Sequence, residues 1–179
     1  MAIANYISRT RQWEINSLID EILLISGKSY PEDGVIDIIK GYVPDVTIVE
    51  HDFDGDASTR GAVFKKSATF EHPLIVIQKR QPKELKTFTL AHEFGHYCLG
   101  HVGDSNFMID KEMFDGSEHM QREAEAQYFA GTLLMPVDKF VKLANYLTAP
   151  QLAQRFGVSE SAVRVRKAWL DGARRERSL

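Results

Sequence analysis

The chain has 179 residues, of which 44% are hydrophobic and 26% are charged, a composition typical of one or two small globular domains and not of a disordered chain. Its 22 basic and 25 acidic residues leave a net charge of −3, which argues against a general polyanion binder. The single cysteine, Cys98, excludes an intramolecular disulfide framework, and no apolar run approaches the roughly 18 residues that a membrane-spanning helix needs.

The N-terminal segment MAIANYISRT has no long apolar stretch and no cleavage-site pattern, so we expect no signal peptide. Together with the single cysteine, this predicts a cytoplasmic protein with no membrane partner. The charge is uneven along the chain, because six basic and only two acidic residues follow residue 163. A basic C-terminus on an acidic body indicates a second contact surface.

The first half of the chain predicts two helices followed by a small sheet. Apolar residues recur at the helical period over residues 8–26, with Gly27 as the C-cap, and a shorter helix is predicted at Val35–Lys40. We expect the first helix to bury one apolar stripe, which consists of Trp13, Ile15, Leu18, Ile19, Ile22, Leu23 and Ile25. Three short apolar runs predict strands of a mostly antiparallel sheet, namely Val46–Val49, Gly61–Phe64 and Leu74–Ile77.

From Lys83 onward the pattern is helical, with breaks near Gly100–Gly116, at Pro136 and around Pro150. The segment Gly100–Gly116 carries apolar residues in an otherwise polar loop, so we interpret it as a lid. The whole chain therefore predicts an α+β fold in which a small sheet precedes a helical second half.

The pattern His92-Glu93-x-x-His96 within the first of these later helices has the spacing of a zinc-binding motif. Residues four apart share one helix face, so His92 and His96 can each offer an imidazole nitrogen to one cation. Glu93 does not bind the metal in such a motif and instead accepts the proton of the attacking water. A core helix whose two histidines bond to backbone carbonyls is the weaker interpretation.

A catalytic zinc site needs a third protein ligand, and three residues are candidates. His101 lies nine residues after His92, one short of the spacing used by zinc peptidases with three histidines, so it is more plausible as a polar group of the pocket. A carboxylate from the next helix can take this position instead. Glu123 and Glu125 point to different sides of that helix, and the apolar face favours Glu123 while placing Glu125 nearer solvent.

The runs FTLAHEFGHYCLGH and EAEAQYFAGTLLMP, which lie within residues 87–136, resemble the ImmA/IrrE family of metallo-endopeptidases. The resemblance implies a zincin-like core over residues 1–147, followed by a helix-turn-helix-like segment with a basic tail over 148–179. It implies that His92, His96 and Glu123 bind the metal and that Glu93 is the general base. In the family, an Asn or Asp often stands four residues after the ligand glutamate, whereas this chain has Gln127, which would have to support a metal-bound histidine with a longer side chain.

The family resemblance also implies what the protein does. We expect one Zn²⁺ per chain, with Mn²⁺ as an alternative, and hydrolysis of peptide bonds. The expected substrate is a protein partner, either a helix-turn-helix repressor or an antitoxin, whose cleavage switches transcription in a stress response. The competing interpretation is a DNA-binding or metal-sensing transcriptional regulator without peptidase activity, in which a fourth protein ligand would close the metal site.

Other polar residues could stabilise the transition state or orient a metal ligand. The candidates are His101, His119 and Gln127, and the sequence also leaves open Tyr97, Arg122 and Tyr128. We further hypothesise that Leu74–Gln78 is an edge strand along which an extended substrate pairs. Cys98 is interpreted as a small buried apolar residue.

Residues 149–170 have the spacing of a helix-turn-helix. Ala153, Gly157 and Val163 stand where that motif needs a small residue, a left-handed turn and a buried packing residue. The second helix would carry Arg164, Arg166 and Lys167 as contacts to nucleic acid or to a protein partner. DNA binding is less favoured than packing on the peptidase core or docking of a protein substrate.

Overall fold

The computed structural model describes residues 7–53, 59–66, 71–102 and 116–175, so most of the predicted lid at Gly100–Gly116 lies outside the described residues. Seven helices and three strands are found there, in the order α1 (Arg9–Ser26), α2 (Val35–Tyr42), β1 (Thr47–His51), β2 (Gly61–Phe64), β3 (Leu74–Gln78), α3 (Lys83–Cys98), α4 (Gly116–Leu134), α5 (Val137–Ala144), α6 (Ala149–Phe156) and α7 (Glu160–Arg175). The predicted α+β class is confirmed. None of the described helices is long and apolar enough to cross a membrane.

Helix α1 begins and ends where its capping residues predict. The Ser8 hydroxyl accepts a hydrogen bond from Arg11 N, and Gly27 takes the left-handed conformation with φ of 65°, which favours glycine. The buried stripe is narrower than the one predicted, because Trp13 is 69% exposed and Ile25 is 55% exposed. The core contacts are made instead by the three isoleucines Ile15, Ile19 and Ile22.

The sheet is mixed, with strand order β1-β3-β2. Strand β3 pairs antiparallel with β2, as expected, and parallel with β1. The hypothesis that Leu74–Gln78 is an edge strand is therefore wrong, because this segment is β3 and lies in the centre of the sheet. Short alternating runs do not encode which strands become neighbours, so sequence pattern alone could not decide this.

Helices α3 and α4 lie against each other and against the sheet. Gly95 makes their close approach possible, because a Cβ added there would lie 3.0 Å from the ring of Phe129. On α4, three small residues lie on the buried part of the surface, namely Ala124, Ala126 and Ala130. Phe94 and Phe129 are fully buried and meet edge to face, with ring centroids 5.8 Å apart, so the two helices share one core.

Helices α6 and α7 form the predicted pair, joined at Gly157 with φ of 59° and capped by Ser159, whose hydroxyl accepts a hydrogen bond from Ala162 N. Helix α6 begins at Ala149, because proline is tolerated in the first helical turn, so the break around Pro150 falls just before this helix as expected. The Tyr30 hydroxyl donates to Phe156 O at 2.6 Å, which ties this segment to the N-terminal half.

Arg166 anchors α7 to the rest of the chain. Its side chain is only 5% exposed, and it donates to Met135 O at 3.1 Å and to Thr132 Oγ1 at 2.9 Å. Burial lowers the pKa of Arg166, because a charged guanidinium is less well solvated there. The residue predicted to face DNA or a partner is therefore a packing residue of the helix interface.

Replacing Arg166 with alanine should lower the free energy of unfolding by about 1–3 kcal/mol, because both acceptors lose their donor inside the protein. Urea denaturation followed by circular dichroism measures this change. The matched control is Lys167→Ala, one residue along the same helix and exposed, which should change stability by less than about 0.5 kcal/mol. Equal effects of the two substitutions would contradict the anchoring role of Arg166.

Candidate metal centre

Two histidines of α3 point into one site, as their spacing predicts. The Nε2 atoms of His92 and His96 lie 3.0 Å apart. His96 is almost fully buried between α3 and α4, whereas the His92 side chain is 17% exposed. The helical offset of four residues thus places two imidazole nitrogens side by side.

Glu123 of α4 completes the group. Its carboxylate oxygens lie 3.4 Å from His92 Nε2 and 3.3 Å from His96 Nε2. The three side chains form one cluster in which the ligand atoms all lie within 4.8 Å of one another. Within the described part of the chain, no fourth His, Cys, Asp or Glu joins this cluster.

The donor set fits a divalent metal ion. Two imidazoles and one carboxylate are donors that catalytic zinc sites use, and their separations approach the roughly 3.3 Å between ligands of a tetrahedral ion. Burial lowers the pKa of His96, which leaves its ring neutral and able to bind a cation. Burial alone would raise the pKa of Glu123, but hydrogen bonds and charge from His92 and His96 outweigh it and hold the pKa well below its usual range.

Glu93 lies beside this cluster without belonging to it. It is adjacent to His92 on α3 and lines the same cavity. Burial raises the pKa of its carboxyl to about 7; the neighbouring His92 opposes this shift and the charge of Glu123 adds to it. A carboxyl with a pKa near neutrality can both accept and return a proton, which suits the role predicted for Glu93.

His101 is not part of the ligand cluster. Its Nδ1 lies 3.0 Å from His96 Nδ1, and its Nε2 lies 3.2 Å from Glu125 Oε2. Burial, with His96 beside it, lowers the pKa of His101 to about 4, so its ring is neutral. The prediction that Glu125 lies nearer solvent is wrong, because Glu125 is only 3% exposed. Helix α1 covers this side of α4, so that α4 has a second buried face that the apolar pattern did not reveal.

The other predicted polar residues lie around the cluster. His119 and Gln127 both line the cavity, one turn before and one turn after Glu123 on α4. Gln127 was expected to support a metal-bound histidine. It does not bond to His92, because His92 Nδ1 is buried with no hydrogen-bond partner in the described structure. His119 Nδ1 is likewise buried without a partner among these residues.

The cluster lies in an open cavity of about 460 Å³. One wall is β2 with the residues that precede it, and another is the start of α7, where Ser159, Ser161, Ala162 and Val165 line the cavity. Sequence reasoning missed both walls. The sequence held a signal for the β2 wall, because a glycine in a strand often marks the close approach of another group. A Cβ at Gly61 would lie 2.9 Å from Glu93 Oε1.

A family model described as the IrrE N-terminal-like domain of M78 peptidases matches residues 43–167, which is more than two thirds of the chain and includes the whole ligand cluster. The chain belongs to this family. The predicted ImmA/IrrE resemblance is thereby confirmed, and family membership supports a metallopeptidase-family role for the M78 domain.

No curated protein matches this M78 chain significantly. Among solved structures, it is similar to a Mycobacterium tuberculosis transcriptional regulator, with a TM-score of 0.61 and 15% sequence identity. The similarity covers 92% of this chain and 50% of that protein, so the chain spans about half of the regulator's length. At this level of identity the similarity shows a shared fold.

The M78 match ends within α7, whose basic residues differ in accessibility. Arg164 is 72% exposed in its side chain and pairs with Glu160 on the same helix, and Lys167 is also exposed. These two could reach a partner, whereas the buried Arg166 could not. Whether α6 and α7 form a separate unit from residue 148 onward stays a prediction.

The raised pKa of Glu93 predicts how pH changes the stability of the chelator-treated protein. The folded state holds the Glu93 proton more tightly than the unfolded state, so this residue destabilises the fold increasingly as pH rises from about 4.5 to about 7. Above that range, Glu93→Gln should raise the free energy of unfolding by up to about 3 kcal/mol. Urea titrations at pH 5 and pH 8 measure it.

The same substitution should have a smaller effect at pH 5, below about 1 kcal/mol, because the carboxyl is protonated in the folded state and pH 5 is only slightly above its ordinary pKa in the unfolded state. The control is Lys86→Met on the same helix as Glu93, which removes an exposed ion pair with Glu50 of β1 and should show no such pH dependence. An equal effect of Glu93→Gln at both pH values would show that the carboxyl is not perturbed by burial.

Proposed function

We propose that this protein is a zinc-dependent endopeptidase of narrow specificity that cleaves a DNA-binding repressor or an antitoxin-like partner. The observation that carries the proposal is the convergence of His92, His96 and Glu123 with Glu93 beside them. Three ligands without a fourth in the described residues match a catalytic site, since structural zinc sites are closed by four protein ligands. Membership of the M78 family supports the same conclusion.

A zinc ion held by these three residues would polarise the scissile carbonyl and make the attacking water more acidic. Glu93 accepts the proton of that water and passes it to the leaving amine, which its pKa of about 7 allows near neutral pH. Within the described residues, no lysine or arginine pairs with Glu93 to divert its carboxylate. His119 lines the cavity and has a ring nitrogen with no partner among the described residues, so we propose it as the donor to the developing oxyanion.

The substrate would pair along β2. The sequence hypothesis gave this role to β3, but β3 lies in the centre of the sheet. The Arg60 carbonyl accepts a hydrogen bond from Gln78 N, so alternate residues of β2 direct their backbone groups to β3. The N–H and C=O groups of Gly61 and Val63 therefore point to the opposite edge. Within the described residues no other strand pairs there, so an extended peptide can add to the sheet beside Glu93.

The choice of a repressor or antitoxin as substrate rests on the family resemblance, as does its use in a stress response. The activity is proposed to take place in the cytoplasm, in keeping with the composition of the chain. Manganese could replace zinc, because an imidazole and carboxylate site does not by itself select between them.

A DNA-binding or metal-sensing regulator is the second candidate function. It is favoured by the helix pair α6–α7, by the exposed Arg164 and Lys167, and by the name of the structurally similar M. tuberculosis protein. The orientation of α7 favours the peptidase. Its first turns, which would have to enter a DNA groove, instead wall the catalytic cavity.

Substituting Glu93 with glutamine should abolish cleavage without removing the metal. We expect about one zinc per chain in both proteins by mass spectrometry of the metal, and at least a 100-fold loss of activity in the variant, because general-base catalysis typically contributes about 10²–10⁴-fold. Cleavage is measured by searching for new protein N-termini in a lysate from the source cells, with repressors and antitoxins examined first.

The control is Glu123→Gln, which should lose both metal and cleavage because it removes a charged ligand. Metal in the wild type with no cleavage product would favour the regulator, and DNA binding by Arg164 and Lys167 would then be measured. Full activity of Glu93→Gln would refute the mechanism.

Gly61→Ala should lower kcat by about 100-fold with little change in metal content, because a small displacement of a catalytic group is enough for such a loss. The new Cβ would lie 2.8 Å from Thr89 Cγ2 and 2.9 Å from Glu93 Cγ, which forces the Glu93 side chain aside. The matched control is Gly131→Ala on α4, where nothing lies within 4 Å of the added Cβ. If the two variants had the same kcat, the contact between β2 and Glu93 would have no catalytic role.

A further inference from the structure

A path of four side chains in contact, His96, His101, Glu125 and Arg11, connects the metal cluster to helix α1. His96 Nδ1 lies 3.0 Å from His101 Nδ1, and His101 Nε2 lies 3.2 Å from Glu125 Oε2. The same Glu125 oxygen accepts hydrogen bonds from Arg11 Nε at 3.0 Å and from Arg11 Nη2 at 2.7 Å. The ring nitrogen of His96 that faces Glu123 is thus at one end of a continuous path whose other end is Arg11.

The carboxylate decides the direction of every hydrogen bond in this path. Arg11 and Gln121 both donate to Glu125, which keeps the carboxylate ionised and able only to accept. His101 must therefore donate from Nε2, and a neutral imidazole then has a lone pair on Nδ1. His96 must donate from Nδ1 to that lone pair, which leaves its own Nε2 unprotonated and directed at the cluster.

We propose that His101, Glu125 and Arg11 are positioning residues that fix the tautomer and the orientation of His96 for metal binding. The inference deepens the proposed function and rests on it, because it concerns how one ligand of that site is held. None of the three residues touches the metal cluster except through His96.

Because three side chains of this path are buried, its hydrogen bonds can run in one direction only. His96, His101 and Glu125 are each 5% exposed or less, so water is not available to satisfy a reversed arrangement. If His101 carried its proton on Nδ1, its Nε2 lone pair would face the Glu125 carboxylate at 3.2 Å, with two acceptors opposed. A buried polar group without a partner costs about 1–3 kcal/mol, so the reversed tautomer is disfavoured.

The two histidine ligands differ in how their second ring nitrogen is held. His92 Nδ1 has no hydrogen-bond partner in the described structure, whereas His96 Nδ1 is held by His101. Arg11 belongs to α1, which precedes the residues matched by the M78 family model. This inference therefore makes α1 a part of the metal centre and explains why Glu125 is buried against it.

The first test measures zinc affinity of the full-length protein by competition with a chromophoric chelator. Glu125→Gln and His101→Leu should each weaken zinc binding by about 10–100-fold, the usual effect of removing a residue that orients a metal ligand. Arg11→Met should weaken it as well, and Arg11→Lys should restore part of the loss because one donor to Glu125 returns. Circular dichroism establishes that each variant is folded.

Glu14→Gln is the matched control. It removes the other ion pair of Arg11, at 2.9 Å on the same helix, and leaves the path to His96 intact, so zinc affinity should not change. Wild-type affinity in folded His101→Leu and Glu125→Gln would overturn the inference while leaving the proposed function standing. A wild-type protein that binds no zinc would overturn both.

The second test reads the proton positions directly. In the zinc-loaded protein labelled with ¹⁵N-histidine, NMR should find His101 protonated at Nε2 and His96 protonated at Nδ1. In Glu125→Gln, the side-chain amide can rotate and donate, so the His101 tautomer should become mixed. Protonation of His101 at Nδ1 in the wild type would overturn the inference, whatever the affinities show.

Discussion

The close contact between α3 and α4 is the constraint on which the rest of the molecule depends. The metal cluster takes two ligands from one helix and one from the other, so the distance between the helices sets the distance between the ligands. That distance is short because Gly95 leaves room for Phe129. The same contact buries His96 and thereby keeps its ring neutral, so packing and ligand chemistry have one cause.

The contact between these helices also explains how the outer elements contribute. Strand β2 lies against α3 and limits where Glu93 can place its carboxylate, while Arg166 ties α7 to the end of α4. Helix α1 covers α4 from behind and brings Arg11 to Glu125. An identifiable contact thus holds each of these outer elements against the helix pair that carries the site.

Much of the site could be predicted because its signals are local. His92 and His96 share one helix turn, and Glu123 follows from the apolar face of the next helix. The strand order could not be predicted, since it depends on pairing between distant segments. The burial of Glu125 and Arg166 was missed because both are charged residues that meet partners from elements far away in sequence. A hydrophobic pattern identifies one buried face of a helix, but it does not reveal a second buried face that consists of paired polar groups.

The cavity lining includes β2, the strand along which we propose that the substrate pairs, and this pairing restricts what can bind there. If the substrate pairs with β2 as proposed, its backbone must be extended at the cleavage site, because strand addition requires an extended peptide. A protein cleaved by the proposed activity would therefore have to offer an unstructured stretch, such as a linker between two domains or a segment released from a complex. Selectivity would then depend on local unfolding of the partner as well as on its side chains, so a partner that stays tightly folded would not be cleaved.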